Sequence, residues 1–116
     1  MGRPVTSTVD AVARFWNRYL ELLVNQDVKE NERVWYARRA EHYLAATKNK
    51  KLVRHDALDV EQYLRNLGRE SRLAAWQFRQ CVRAIQNLHR LVGSPAVGDV
   101  DWDHWAEAGR HLPGPV

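Results

Sequence analysis

The stretch from Arg72 to Arg90, RLAAWQFRQCVRAIQNLHR, constrains the fold more than any other part of this chain. At about 100° per residue, an α-helix would gather its apolar side chains in one sector, with the i, i+3, i+4, i+7 spacing of a buried face. The pattern therefore predicts a helix with one side in a hydrophobic core. The residues of that side are Phe78, Cys81, Val82, Ile85, Leu88, His89 and Val92.

The same helix would carry its arginines along a different side. Arg72, Arg79, Arg83, Gln86 and Arg90 fall within about 60° of one another, and no acidic residue lies among them. An exposed face that serves only solubility more often mixes positive and negative charges. Two interpretations follow: a surface that contacts phosphates, or a solvated face whose arginines lie over apolar surface.

Helical periodicity also dominates the rest of the chain, so the sequence predicts an all-α fold with a compact bundle of four helices and a short C-terminal helix. Ser7 and Asp10 are expected to cap the first helix, and Asp56 with Asp59 the third. Gly68 is expected to end the third helix and Gly93 the fourth. The apolar residues expected to face the core from the first three helices are Val12, Phe15, Trp16, Tyr19, Leu20 and Leu23, then Tyr36, Ala40, Tyr43 and Leu44, then Val60, Tyr63, Leu64 and Leu67.

A single domain spanning residues 1–116 is expected, with the bundle at about residues 8–93. The second helix should run from about Asn31 to Ala46, before a basic connection at residues 48–54. A turn-rich connector, GSPAVGDV, begins at Gly93, and a short helix headed by acids follows it; the connector and this helix occupy residues 94–112 after the bundle.

Charge is unevenly distributed along the chain. Residues 1–98 hold 17 Lys and Arg against 10 Asp and Glu, whereas residues 99–116 hold four acids against one arginine. A basic body suggests a polyanionic partner. No apolar run approaches the roughly 20 residues of a membrane span, and the N-terminus lacks the apolar stretch of a secretory signal, so we expect a cytoplasmic protein without a membrane partner.

The sequence offers little for catalysis or metal binding. The five histidines show none of the usual metal-ligand spacings, and neither a phosphate loop nor a GxSxG motif is present. Cys81 and His89 lie on the apolar side of the fourth helix and read as core residues. We therefore expect no catalytic residue, metal or cofactor, and no enzyme activity from this chain alone.

The tryptophans divide into two groups. Trp16, Trp35, Trp102 and Trp105 are expected to pack in the core. Trp76 lies near the arginines on the helical projection, where it would either flank a ligand or pack on the second helix.

If the arginines contact phosphates, duplex DNA is one suitable partner. Guanidinium groups bind phosphate through two hydrogen bonds and stay charged at any relevant pH. Gln77, Gln80 and Gln86 could both donate and accept at base edges. Lys29 and Arg33 add positive charge where the N–H groups of the second helix could also meet a phosphate.

Three segments taken in order resemble the N-terminal, SAM-like core-binding domain of tyrosine recombinases and phage-type integrases. They are FWNRYLELLVNQDVKENERVWYARRAEHYLAAT, HDALDVEQYLRNLG and AAWQFRQCVRAIQNLHRLV. The similarity lies in an aromatic-rich first helix, the spacing of Tyr36 and Tyr43-Leu44, a DVxxYLxxL helix from Asp59, and the His89-Arg90 pair. The resemblance covers about residues 12–110, since VDWDHWA is also similar to a segment of some integrases.

This resemblance implies a fold of crossed helix pairs that forms half of a clamp around double-stranded DNA, with the second and fourth helices facing the duplex. Carried over by position, it selects Lys29, Arg33, Arg79, Gln80 and Arg83 as DNA-binding residues, with Arg72, Gln77 and Arg90 as phosphate neighbours. It implies a nucleoid location when DNA is bound.

The implied partners are a C-terminal catalytic domain of the same parent protein and neighbouring recombinase protomers on DNA. The catalytic constellation of the family, with its His-x-x-Arg motif and tyrosine nucleophile, is absent from these residues. Arg79, Trp76 and Phe78 also depart from the family pattern, so no target sequence follows. The alternative hypothesis is a helical protein-interaction domain whose basic side docks on an acidic protein surface.

Overall fold

The fold is built from helices throughout residues 8–70 and 72–108, which are the residues that the computed structural model describes. Within those ranges no strand occurs, and the prediction of an all-α fold is confirmed. The elements are α1 (Thr8–Asn25), α2 (Glu30–Ala46), a 3₁₀ turn (Leu52–Arg54), α3 (Ala57–Glu70), α4 (Ala75–Val92), α5 (Ala96–Asp99) and α6 (Trp102–Ala108).

Helix α4 is the centre of the bundle, because α1, α2, α5 and α6 all contact it. Its expected apolar side is buried from Phe78 to His89, as predicted, and Val92 is half-buried. Burying a large apolar side chain contributes about 1.5–3 kcal/mol, so this side accounts for much of the folding free energy. The core that it joins includes Tyr19, Leu23, Ala40, Tyr43, Val60, Leu64, Phe78, Val82, Ile85 and Leu88.

Two of the predicted helix ends are confirmed in detail. The Asp56 N–H donates to Asp59 Oδ2 at 3.0 Å, and the Asp59 N–H donates to Asp56 Oδ1 at 3.1 Å, so the two residues cap α3 reciprocally. Gly93 follows α4 with φ of 68°, a left-handed conformation that glycine adopts without a steric penalty. The predicted Ser7 cap lies outside the described residues.

Other predicted boundaries are wrong. Gly68 does not end α3, which continues to Glu70 with Gly68 buried inside it. A glycine in a helix interior costs only about 1 kcal/mol, and packing offsets that cost. Helix α4 begins at Ala75 rather than Arg72, because Gln77 Oε1 accepts the Ala74 N–H at 2.8 Å and fixes the helix start there. The connector after α4 also contains a short helix, α5, which was not predicted because the glycine and proline residues of this segment are typical of turns.

The core takes fewer aromatic and apolar side chains than predicted. Trp35 is 50% exposed and lies under the Arg38 guanidinium, 5.5 Å from the ring centroid. On α1, Val12 and Leu20 are exposed, since the apolar stripe of this helix is wider than the surface it packs on. Trp76 is 60% exposed and so lies largely in solvent.

A buried chain of hydrogen bonds ties the segment after α2 to α4 and to the turn after it. His55 Nε2 donates to the Lys50 carbonyl at 3.0 Å, and its Nδ1 accepts from the Tyr43 hydroxyl at 2.6 Å. The Tyr43 oxygen accepts from His89 Nε2 at 3.0 Å, and His89 Nδ1 accepts from the Ser94 hydroxyl at 2.6 Å. A carbonyl oxygen can only accept, so the bond to Lys50 requires His55 to carry its proton on Nε2. His55 Nδ1 therefore accepts from Tyr43, and the Tyr43 oxygen is left to accept from His89 Nε2. His89 Nδ1, which then carries no proton, accepts from Ser94. The prediction of His89 as a core histidine with polar neighbours is confirmed.

None of the helices in the described ranges has the length and apolar character needed to cross a bilayer.

Candidate functional site

The candidate site is the exposed side of α4, which we call the arginine stripe and define by Arg79, Arg83 and Arg90. Helix α2 borders one edge of it, where Arg39 Nε donates to Gln80 Oε1 at 3.3 Å. Helix α6 borders the other edge, where Asp103 contacts Arg83. The stripe therefore occupies a narrow strip of α4 between two neighbouring helices. Arg79 and Arg90 are exposed, and the Arg83 side chain is 32% exposed.

Arg90 is held in place by two amide oxygens. Its Nη1 donates to Gln26 Oε1 at 3.0 Å and to Asn87 Oδ1 at 3.3 Å. The Asn87 amide in turn donates to the Arg83 carbonyl at 3.0 Å, so Asn87 is fixed as well. Neutral amides orient the guanidinium without cancelling its charge, which leaves Arg90 free to attract an anion.

Arg83 makes one neutral and one charged contact. Its Nη1 donates to Gln86 Oε1 at 2.8 Å, and its Nη2 pairs with Asp103 Oδ1 at 2.8 Å. Asp103 is 88% exposed, so the pair lies in water rather than in the core. Exposed ion pairs of this kind contribute little to stability, about 0–1 kcal/mol.

A polar groove of about 330 Å³ lies between the α1–α2 turn and α4. The Tyr36 hydroxyl at this groove stays protonated near neutral pH, because burial, together with the negative charge of Glu32, raises its pKa against the opposing effect of Arg83. A groove with two guanidinium groups, amides and a hydroxyl matches the donor pattern that phosphate oxygens accept. Its lining residues are Gln26, Val28, Tyr36, Arg83, Gln86, Asn87 and Arg90.

The two predicted residues of α2 lie near this groove, at the start of the helix. Lys29 is exposed at the N-cap position, with extended backbone at φ of −62° and ψ of 147°. Arg33 is half-buried, and its Nε donates to the Val28 carbonyl at 3.0 Å. Val28 lines the groove, so Lys29 and Arg33 bring positive charge close to it. The same segment of the chain also contains the acids Asp27, Glu30 and Glu32.

The glutamines predicted to contact DNA bases make hydrogen bonds within the protein. Gln77 caps α4, while Gln80 and Gln86 are each 8% exposed and accept hydrogen bonds from Arg39 and Arg83. These contacts engage the side-chain oxygens that the base-edge prediction relied on. Arg72 is exposed in the segment before α4, so it lies beside the stripe's helix rather than on it.

Sequence reasoning missed Gln26, Asn87 and Asp103, which orient the stripe arginines. Asn87 stands between Arg83 and Arg90 at helical spacing, a signal that was available in the sequence. Gln26 and Asp103 come from other helices, and only the packing of those helices brings them to α4.

The free thiol of Cys81 lies on the buried side of α4 rather than on the arginine stripe. Burial raises the pKa of the Cys81 thiol, although the charge of Arg39 opposes this effect. The thiol therefore stays protonated. Within the described part of the chain no group of three or more His, Cys, Asp or Glu side chains is placed to hold a metal ion.

Neither a protein-family model, nor a curated protein, nor a solved structure matches this chain.

Proposed function

We propose that this chain binds double-stranded DNA through the arginine stripe and the start of α2. The observation that carries the proposal is the amide-held arrangement of Arg83 and Arg90 at a polar groove, with Arg79 exposed one turn earlier on α4 and Lys29 exposed at the start of α2. Arg72, just before α4, and Arg33, beside the groove, add to the positive charge. Such contacts position a protein on the phosphate backbone.

The burial of Gln80 and Gln86 bears on specificity. Because their oxygens already accept from arginines, sequence readout through these glutamines requires those internal hydrogen bonds to exchange. The proposed binding is therefore mainly electrostatic and tolerant of sequence.

The parent protein is proposed to be a tyrosine recombinase of the integrase type, with this chain as its core-binding domain. The ordered motifs from the first helix to VDWDHWA support this proposal, together with the all-helical fold. Strand exchange belongs to a catalytic domain of the parent, and neighbouring protomers on DNA are further partners. The parent's coding sequence tests the assignment directly: a His-x-x-Arg motif and a tyrosine nucleophile after residue 116 support it, and an unrelated domain there contradicts it.

The binding itself is tested by reversing two charges of the stripe. Replacing both Arg79 and Arg83 by Glu removes two charge-assisted contacts, each of about 1.5–3 kcal/mol, so affinity for a short mixed-sequence duplex should fall about 100-fold or more. Fluorescence anisotropy at low salt measures the affinity, and circular dichroism checks that helicity is unchanged.

Arg14→Glu with Arg18→Glu is the matched control. These two exposed arginines have the same i, i+4 spacing on α1, and their reversal changes net charge equally. The control should lose much less affinity. Equal losses in the two double variants would show that only net charge matters, and an unchanged affinity in the Arg79/Arg83 variant would overturn the assignment.

The second candidate function is docking on an acidic protein surface. The observation that favours it is the Arg83–Asp103 pair, in which a carboxylate binds an arginine of the stripe. A competition experiment distinguishes the two candidate functions. If the stripe binds DNA, a duplex should displace a bound acidic peptide. If the stripe binds an acidic protein, the peptide should stay bound in excess duplex.

A further inference from the structure

Helix α6 has its own anchors on the bundle. Trp102 is 6% exposed, its Nε1 donates to the Val97 carbonyl at 3.1 Å, and its ring lies 6.0 Å from that of His89. Ala106 is 2% exposed on the same helix. These buried contacts hold α6 against α4 at positions other than Asp103.

Asp103 is not the residue that caps the start of α6. The His104 N–H at the start of this helix is accepted by Asp101 Oδ1 at 3.1 Å, so Asp101 supplies the capping contact. The Asp103 carboxylate instead reaches across to Arg83 Nη2. Residues 96–108 contain four acids and no lysine or arginine, and Asp103 among them contacts the stripe through Arg83.

Asp103 accepts from Nη2 of Arg83, and this atom is important for anion binding. A guanidinium binds a phosphate through two N–H groups either end-on, by Nη1 and Nη2, or side-on, by Nε and Nη2. Both arrangements require Nη2. Each Nη carries two N–H groups; Gln86 accepts from one on Nη1 and Asp103 from one on Nη2. A phosphate that approaches Arg83 therefore meets a carboxylate 2.8 Å from the atom that both arrangements use.

We propose that Asp103 is an intramolecular competitor of DNA phosphate at Arg83, so that α6 lowers the affinity of the stripe for DNA. This inference rests on the proposed DNA binding. The carboxylate and the phosphate compete for the positive charge and the Nη2 donors of Arg83, and any partner that draws Asp103 away removes that competition.

The size of the effect follows from the exposure of the pair. An ion pair in water is weak, so its removal should tighten duplex binding about two- to fivefold at low salt. The gain should shrink as salt rises, because screening weakens both the internal pair and the phosphate contacts.

The test is a double-mutant cycle with a matched charge control. Asp103→Asn, Arg83→Gln and the double variant are compared with the unmodified chain for binding of a short mixed-sequence duplex. Asp99→Asn is the control, since Asp99 is an exposed acid on α5 and its replacement changes net charge equally. Circular dichroism confirms that each variant keeps its helicity.

The account predicts a larger gain for Asp103→Asn than for Asp99→Asn, and predicts that this excess disappears when Arg83 is already Gln. Equal gains for the two aspartate variants, or an excess that persists without Arg83, would overturn the inference. If neither the unmodified chain nor Asp103→Asn binds duplex at low salt, the proposed function itself fails. That result differs from both outcomes of the cycle.

Discussion

His89 shows how a single buried residue sets the pH dependence of this fold. Burial, with a further contribution from nearby His55, lowers the pKa of His89 to about 4, well below its ordinary value of 6.5. In the unfolded chain His89 therefore binds a proton as the pH falls below 6.5, whereas in the folded chain it binds one only near pH 4. The stabilising contribution is complete above pH 6.5 and is lost as the pH falls between these two values.

Urea unfolding measures this effect. Between pH 6.5 and 5, titration of His89 should lower the free energy of unfolding by about 1.5 kcal/mol. His89→Gln should be less stable at neutral pH, because the hydrogen bonds to Tyr43 and Ser94 change, but its pH slope over this range should be shallower. His104→Gln, at an exposed position, should keep the original slope. A His89→Gln variant with an undiminished slope would contradict the assignment.

At the scale of the elements, the end of α4 depends on one backbone conformation. Gly93 has φ of 68°, whereas Gly98 in α5 does not have a left-handed backbone, and a Cβ added at either glycine meets no heavy atom within 4 Å. Space is thus equal at the two positions and backbone strain differs. Gly93→Ala should destabilise the fold by about 1 kcal/mol, and Gly98→Ala should be neutral or slightly stabilising.

Thermal and urea unfolding of the two variants compare them directly. A cost for Gly98→Ala that equals the cost for Gly93→Ala would show that left-handed strain is not what the glycine after α4 relieves.

The elements also show which parts of the fold a sequence reveals. The buried side of α4 was predictable because periodicity is a local property of Phe78 to His89. Its starting residue was not, since the Ala74 N–H is satisfied by the Gln77 side chain rather than by a typical Ser or Asp cap. Gly68 misled for a related reason: tertiary packing decided that α3 continues past it.

The candidate site was predictable to a similar extent. Arg79, Arg83 and Arg90 share one side of α4, as the sequence indicates, because helix geometry alone places them there. The burial of Gln80 and Gln86 was not predictable, since it depends on where α2 and α6 lie. Asp103 is 20 residues from Arg83 in the chain, and only the docking of α6 on α4 joins them.

At the scale of the whole molecule, charge should govern binding strength. Lys29, Arg72 and the three arginines of the stripe are five cationic groups available for phosphate contact. Counterion release then predicts that the logarithm of the binding constant falls with the logarithm of salt concentration at a slope of about −4 to −5. Arg90→Gln should reduce the slope by about one. A slope near zero in the unmodified chain would rule out a phosphate-dominated interface.

An NMR titration shows whether the arginine stripe and the start of α2 form one DNA-binding surface, as we propose. The labelled chain is titrated with a short mixed-sequence duplex at low salt while backbone amide shifts are followed. We expect shifts concentrated at residues 29–36 and 75–90 that revert when salt is added. An unchanged spectrum at a high duplex concentration, or salt-sensitive shifts confined to the exposed face of α1, would contradict it.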